Sequence, residues 1–442
     1  MKDIIAAVEK HRDLILDAER FIWKHPETGY KEFVTSEYMA KKFTELGYEL
    51  TYAEGITGFY TRVETGREGP EVLILGELDS IICPAHPDAD KTTGAVHSCG
   101  HNAQCAALLG IAAALREPEV LAKLSGSVRL CAVPAEELLE IEYRRKLRAE
   151  GKIKYFGGKT EFLSRGYFDG VDIAFMVHTA EEFGVNKGSV GCVAKNVVYK
   201  GRAAHAGGAP WFGINALYAA NCGINAINAI RETFAEADIM RVHPIITHGG
   251  DMVNAIPETV RLESYVRGSS YDAILRENKK INRALTGAAL SIGANIEIID
   301  IPGYAPLYNC DALAEILKES VKESIPEENF NIMTVMGSGS TDMGDLSQIM
   351  PTLHPYAGGK KGKDHGNNYY IADPERACVG SAKMQMGFLL SLLENGAERA
   401  KKIISEFKPL FASKEDYLNF IDDINSSGDR IVYSEDSATV KL

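Results

Sequence analysis

Cys99 and His101, separated by one glycine, put a thiol and an imidazole at the mouth of a helix predicted from the apolar run Ala106, Leu108, Leu109 and Ala112. A thiolate there gains from the backbone N–H groups of a helix start, and thiolate with imidazole is metal-ligand chemistry. Taken alone, Cys99 could equally be a small buried hydrophobe. The residues downstream shift that reading. The acids Glu136 and Glu137 follow the apolar run 127–133 after Pro134-Ala135, and two carboxylates after a buried strand are costly unless something pairs with them. His178 ends a further apolar run, 171–177, and Glu77 and Asp79 close the run 71–76. Adjacent glutamates at a strand end point in different directions, so the two can serve different roles. Asp79 would orient a ligand imidazole. A metal held by such a set would polarise a bound carbonyl or phosphoryl oxygen and acidify a bound water.

Three predicted strands, 71–76, 127–133 and 171–177, thus deliver Asp79, Glu137 and His178 to one sheet edge beside Cys99 and His101. In open α/β sheets that carboxyl edge is where ligands sit. Upstream, a 3.6-residue rhythm from Ile4 to Ile22 predicts a helix over 2–24 that stops at His25-Pro26, and a second helix spans 33–46. From Gly184 the pattern turns to strand-rich alternation with two helices: strands at 190–199, 241–248, 259–268 and 296–301, helices at 214–232 and 271–291. The α/β pattern resumes with a helix at 312–325, strands at 331–336 and 348–356, and a helix at 376–393. The expected fold is α/β, a doubly wound mixed-sheet catalytic domain interrupted by an α+β lid or dimerisation domain. The expected boundaries are 1–185 and 305–442 for the catalytic domain and 186–304 for the insertion.

Composition narrows the function classes. With 45% hydrophobic and 25% charged residues in 442, the chain has an ordinary globular make-up and is long enough for two or three domains. The net charge of −13 argues against a general nucleic-acid partner. No apolar stretch is long enough for a signal peptide or membrane span, and the eight cysteines are scattered, as reduced thiols would be. A cytoplasmic protein is expected.

Several motifs in order extend the argument: His25-Pro-Glu-Thr-Gly29 with Glu32, Gly76-Glu-Leu-Asp79, His97-Ser-Cys-Gly-His-Asn102, Pro134-Ala-Glu-Glu137 and Val177-His178. They continue with Gly201-Arg-Ala-Ala-His205, Asn254-Ala-Ile-Pro257, Ser340-Thr-Asp-Met-Gly344 and His365. Together they resemble the metal-dependent aminoacylase/carboxypeptidase superfamily, within it the branch of auxin-conjugate hydrolases and aminobenzoyl-glutamate hydrolases. The resemblance implies metal ligation by Cys99, His101, Glu137, His178 and His365, with the Cys99 thiolate bridging two metals. It implies Glu136 as general base, and His205 reaching the substrate carbonyl, in dimeric members from the partner subunit. Asn254 and Arg267 resemble residues that hold a substrate carboxylate. His354 competes with His365 for the last ligand position. The chain departs from the auxin-conjugate pattern at Asn102 and Gln104, at Glu77 where Asp is more usual, and at Leu138-Leu139 after the glutamate pair.

The implied activity is metal-dependent hydrolysis of the amide bond of an N-acyl or N-aroyl amino acid or a dipeptide-like conjugate carrying a carboxylate, by a homodimer. The donor types suit Mn or Zn, with Co or Ni compatible. Two alternatives stay open: an amidase using Cys99 as nucleophile, and a non-catalytic metal- or ligand-binding partner subunit. The basic segment 144–148 reads as a solvated helix face, or less simply as part of a channel for an anionic substrate.

Overall fold

A computed structural model describes all residues, 1–442, and the chain divides into two compact units. The first comprises Met1–Gly188, Leu307–Gly337 and Thr341–Lys414. At its centre is a six-stranded sheet in the order Thr51–Tyr52, Phe59–Glu64, Ser127–Val133, Glu71–Glu77, Ile173–Phe175, Thr352–Leu353. The last four run parallel, and the first two join antiparallel. Strands 71–77 and 127–133 are buried at every residue, as parallel strands covered on both faces must be.

Against this sheet lies the helix His101–Ala114, every residue of which is buried, so it shows no polar face. Small residues make the close packing possible. A side chain at Gly76 would press on Leu108, and one at Gly110 would overlap Ile15 of the helix Arg12–Trp23. The helix expected over 2–24 is two, Lys2–Lys10 and Arg12–Trp23, because His11 leaves helical geometry at φ −105° and ψ 16°. Expected strands 331–336 and 348–356 are each reduced to short pairings at 331–332, 336–337, 352–353 and 356–357.

The second unit comprises Ser189–Pro306, Ser338–Ser340 and Glu415–Leu442. Its antiparallel sheet runs Arg241–Val242, Thr259–Gly268, Gly191–Lys200, Asn295–Pro302, and Ile245–His248 also pairs with 259–268. Helices Ala216–Ile230 and Tyr271–Ile292 carry its other buried face. The single strand expected at 241–248 is broken at Pro244, which has no N–H to give the ladder. Residues 415–442, grouped by sequence pattern with the catalytic domain, cluster here instead. Ser426 and Asp300 exchange backbone hydrogen bonds of 2.8 and 3.1 Å, and the Tyr433 hydroxyl donates to the Ala294 carbonyl at 2.9 Å.

Candidate metal centre

The carboxyl ends of the parallel strands meet at one point in the first unit. Strand 71–77 ends on buried Glu77, and the chain continues directly to Asp79. The helix start is fixed by Gly100, whose φ of 84° and crowding by the Thr179 and Tyr369 hydroxyls leave no room for a side chain. That turn aims Cys99 and His101 inward. The His101 Nδ1–H donates to the Asp79 carbonyl at 2.9 Å, with the Asp79 carboxylate at 3.3 Å. Nε2 is thereby left as the lone-pair nitrogen. It is buried, lacks a hydrogen-bond partner, and stands 3.1 Å from Glu77 Oε2.

Strand 127–133 leads into Pro134-Ala135, where Ala135 adopts φ 58°, a left-handed conformation that costs an alanine energy and is therefore held from outside. Glu32 accepts the Ala135 N–H at 2.8 Å and the Thr57 hydroxyl at 2.6 Å. Arg144 donates to the carbonyls of Ala135, Phe156 and Glu137. Asp79 Oδ2 accepts the Glu137 N–H at 2.8 Å. The bend thus splits the acid pair, with Glu137 turned toward Cys99 and His365 and Glu136 toward Glu77 and His101.

His178 donates from Nδ1 to the Thr179 carbonyl at 2.9 Å, and its Nε2 lies 3.4 Å from the Cys99 sulfur. His365, at φ 60°, is anchored by its N–H to the Ser98 carbonyl at 2.9 Å, and its Nε2 reaches 2.9 Å from Glu137 Oε1. Donor atoms fall into three groups, each spanning no more than 4.8 Å: Cys99, His101 and His178; Cys99, Glu137 and His365; Glu77, His101 and Glu136. His354 belongs to none of them, its Nδ1 being bonded to the Met176 carbonyl at 2.8 Å.

Electrostatics match the geometry. Burial and Glu137 push the Cys99 thiol up, but His178 and His101 outweigh them and bring it down to about 7. Burial opposes charge on Glu137, yet His365 and His101 hold it at about 2. Glu136 goes the other way: burial, then Glu77 and Glu137, raise it well above the usual carboxylate range. Two neighbouring carboxyls with opposed proton affinities are what an acid/base group beside a cation ligand requires.

Four supporting residues carry no role in the sequence reading. Lys159, fully buried, donates to both Glu77 and Asp342, and Asp342 also accepts the Lys159 N–H at 2.8 Å. Gln104 donates to Glu77 Oε2 at 2.8 Å. Arg144, read as part of a solvated face, is 1% exposed and clamps the bend. Its position in the basic run 144–148 hides it, although the helix period places it beside buried Ile141 and Leu147.

The remaining expected site residues lie in the second unit. His205 is exposed, and its Nδ1 accepts the N–H groups of Gly207 and Gly208 at 3.2 and 2.8 Å, which leaves the proton on Nε2. Asn254 is beside it: the Ala206 N–H donates to the Asn254 carbonyl at 2.9 Å. Arg267 is half-buried, donating to Ser340 Oγ at 3.0 Å over the ring of Tyr265.

Comparison with known proteins agrees with this architecture. Residues 74–391 match the model of peptidase family M20/M25/M40. The Xaa-Arg dipeptidase of Mus musculus is 32% identical over 348 residues, 76% of this chain and 74% of that protein. The indole-3-acetyl-aspartic acid hydrolase of Enterobacter agglomerans is 26% identical over 336 residues, 63% of this chain and 72% of that one. A Bacillus subtilis dinuclear metal-binding peptidase of the M20 family shares the fold with a TM-score of 0.65 at 20% identity, covering 87% of this chain and 99% of its own. With residues 74–391 matching the family model, this chain is a hydrolase of amide bonds belonging to peptidase family M20/M25/M40.

Proposed function

We propose that this chain hydrolyses the amide bond of an N-acyl or N-aroyl amino acid or dipeptide-like conjugate, using two divalent metal ions. The observation that carries this reading is the pair of donor groups sharing Cys99, in which the ligand atoms lie within 4.8 Å of one another and the buried His101 Nε2 and Glu137 Oε1 face only other ligand-type groups, Glu77 at 3.1 Å and His365 at 2.9 Å. Such atoms fit a cation better than each other. Cys99, His101 and His178 would hold one ion, and Cys99, Glu137 and His365 the other. The named relatives, one acting on Xaa-Arg and one on indole-3-acetyl-aspartate, and the dinuclear peptidase lend support. Bound metal would supply Lewis acidity toward the amide carbonyl and lower the pKa of water.

The chain's own groups do the rest. Glu136 takes a proton from the attacking water and passes it to the leaving nitrogen. Asp79 keeps His101 in the tautomer that presents Nε2. His205, protonated on Nε2, donates to the developing oxyanion, worth roughly 3 kcal/mol in the transition state. Asn254 and Arg267 take the substrate carboxylate.

We assign Mn or Zn to the site, Co and Ni being compatible with the same donors. A homodimer supplying His205 across subunits is supported by exposed Ile245 and Ile246 on the edge strand Ile245–His248, with Trp211, Phe212 and Val253 exposed in the same unit. A cytoplasmic setting is supported by eight cysteines that form no disulfide. No helix is long and apolar enough to cross a membrane. The 3.4 Å approach of Cys99 to His178 keeps a thiol-nucleophile amidase as the second reading.

Amine release from a panel of N-acetyl, N-benzoyl, aminobenzoyl and β-alanyl amino acids separates the two. Turnover that vanishes with chelator and returns with Mn or Zn is the expected result. Turnover that survives chelation and is lost on thiol alkylation would replace the metal reading with the nucleophile one.

A further inference from the structure

In the second unit three arginines converge with no acid to meet them. Arg241 sits directly opposite Arg267 across an antiparallel pair, so both side chains leave the same face with Cβ atoms about 5 Å apart. Arg231, at the end of the helix Ala216–Ile230, donates from Nη2 to the Val242 carbonyl at 2.7 Å, which brings a third guanidinium to the same strand. Its Nε donates to Asn228 at 2.9 Å, Arg241 donates to the Met240 carbonyl at 2.9 Å, and Arg267 donates to Ser340. Every partner is neutral. Other arginines of this unit and chain find carboxylates: Arg276 with Asp238, Arg376 with Glu328, Arg399 with Glu319.

His243, the next residue but one after Arg241, is held below the usual histidine range by burial and by Arg267, Arg231 and Arg241, so all three charges act on one locality. Like charges placed directly opposite on a sheet destabilise it. In a chain with 61 acidic and 48 basic residues, their collection at one place without a counter-ion points to an anion that arrives from outside. Arg267 is also pre-oriented by Ser340 and Tyr265, as a carboxylate fork requires.

We propose that Arg241, Arg267 and Arg231 form a dicarboxylate site, so that the amino acid released by this enzyme is acidic, of the aspartate or glutamate class. This rests on the amidohydrolase reading above. The related enzymes leave the leaving residue open between a basic and an acidic one, and a cluster of three arginines that met the substrate would repel an arginine side chain. A single carboxylate meets one of three positive charges, and a second carboxylate on the same residue meets another. Arg241 is thereby a specificity-determining residue beyond the expected Arg267.

The test compares N-benzoylglutamate with N-benzoylglutamine, which are nearly isosteric and differ by one charge, on wild-type enzyme and on Arg241→Gln and Arg241→Lys. Removing one charge-assisted hydrogen bond from a formed site weakens binding by about 10- to 100-fold. The expected result is a preference for the glutamate conjugate of about tenfold or more, expressed in KM, that collapses in Arg241→Gln and returns in part in Arg241→Lys. Glutarate, probed by thermal shift, is expected to stabilise the wild type and not Arg241→Gln, with acetate at equal ionic strength without effect. Equal use of the two conjugates, a preference for N-benzoylarginine, or a preference surviving in Arg241→Gln would overturn the proposal. If no conjugate is turned over, the amidohydrolase reading fails by itself, and the glutarate shift still decides the anion site: its presence in wild type and loss in Arg241→Gln upholds the site, and its absence sinks it.

Discussion

One charge cluster from each unit makes a contrast. In the first, Glu77, Lys159 and Asp342 are all buried and bonded in one chain, and Arg144 and Glu32 are consumed in holding a single backbone bend. In the second, Arg241 and Arg267 face each other on the surface side of a sheet with neutral partners only. Buried charge that is fully paired is fixed in position and rigid, which suits groups that must stand ready for chemistry. Charge that is exposed and unmatched remains free to meet a ligand. The same residue types are therefore held by buried partners in one cluster and left to neutral ones in the other, and on the proposed reading burial separates positioning from recognition.

Perturbing the first unit should accordingly cost far more than perturbing the second. Glu136→Gln is expected to lower kcat about 1000-fold, as loss of a general base does, while metal content measured by elemental analysis stays at the wild-type level. Equal loss of metal and activity would instead make Glu136 a ligand. Lys159→Met strands two buried carboxylates, and chemical denaturation should show about 3 kcal/mol or more of lost stability. Pairing it with Glu77→Gln and Asp342→Asn should recover much of that loss; no recovery would mean that Lys159 contributes by packing alone.

A smaller effect concerns Glu19, which is buried, accepts from Asn102 at 2.9 Å and is raised from 4.5 to about 7 by burial. A carboxyl whose folded-state pKa lies above its unfolded value favours folding in its protonated form. Its contribution is fully present below pH 4.5 and is lost as pH rises toward 7, with a slope of up to about 1.4 kcal/mol per pH unit. Glu19→Gln should flatten that part of the stability profile. Smallest is Asn215→Ala in the second unit, where the side chain caps a helix by accepting from Leu217 and Tyr218 at 3.0 and 3.1 Å. A melt should register about 1 kcal/mol. A loss there as large as that of Lys159→Met would erase the contrast between the units.

How far the site can be read in the sequence follows from the same contrast. Apolar strands ending in acid, and a helix opened by Cys-Gly-His, are local patterns, and they point to Asp79, Cys99, His101, Glu136, Glu137 and His178 directly. Lys159 gives no such signal, because a lysine after two glycines reads as a surface residue until its partners, Glu77 and Asp342, are folded against it. Arg144 is hidden by its basic neighbours. Asp342 stands inside the run Ser340-Thr-Asp-Met-Gly344 but gains meaning only from a residue 183 positions away. The expected helix over 2–24 and the strand over 241–248 break at His11 and Pro244, where one residue interrupts a correct period. The Arg241–Arg267 pairing depends on strand register, which periodicity does not supply.

The first unit is assembled from separated stretches of chain, and this sets an order on its birth. During synthesis Cys99, His101, Glu137 and His178 emerge early, within Met1–Gly188, together with Lys159 and Glu77. Asp342 and His365 follow only after the whole of Ser189–Pro306 has been made, and so does Thr352–Leu353, which covers the open edge of Ile173–Phe175. A nascent chain thus carries an unpaired strand edge while the sheet pairings between 191 and 302 can already form, and the second unit too waits for residues 415–442. On the proposed metal reading, hydrolytic competence comes last, once residues 307–414 have joined Met1–Gly188.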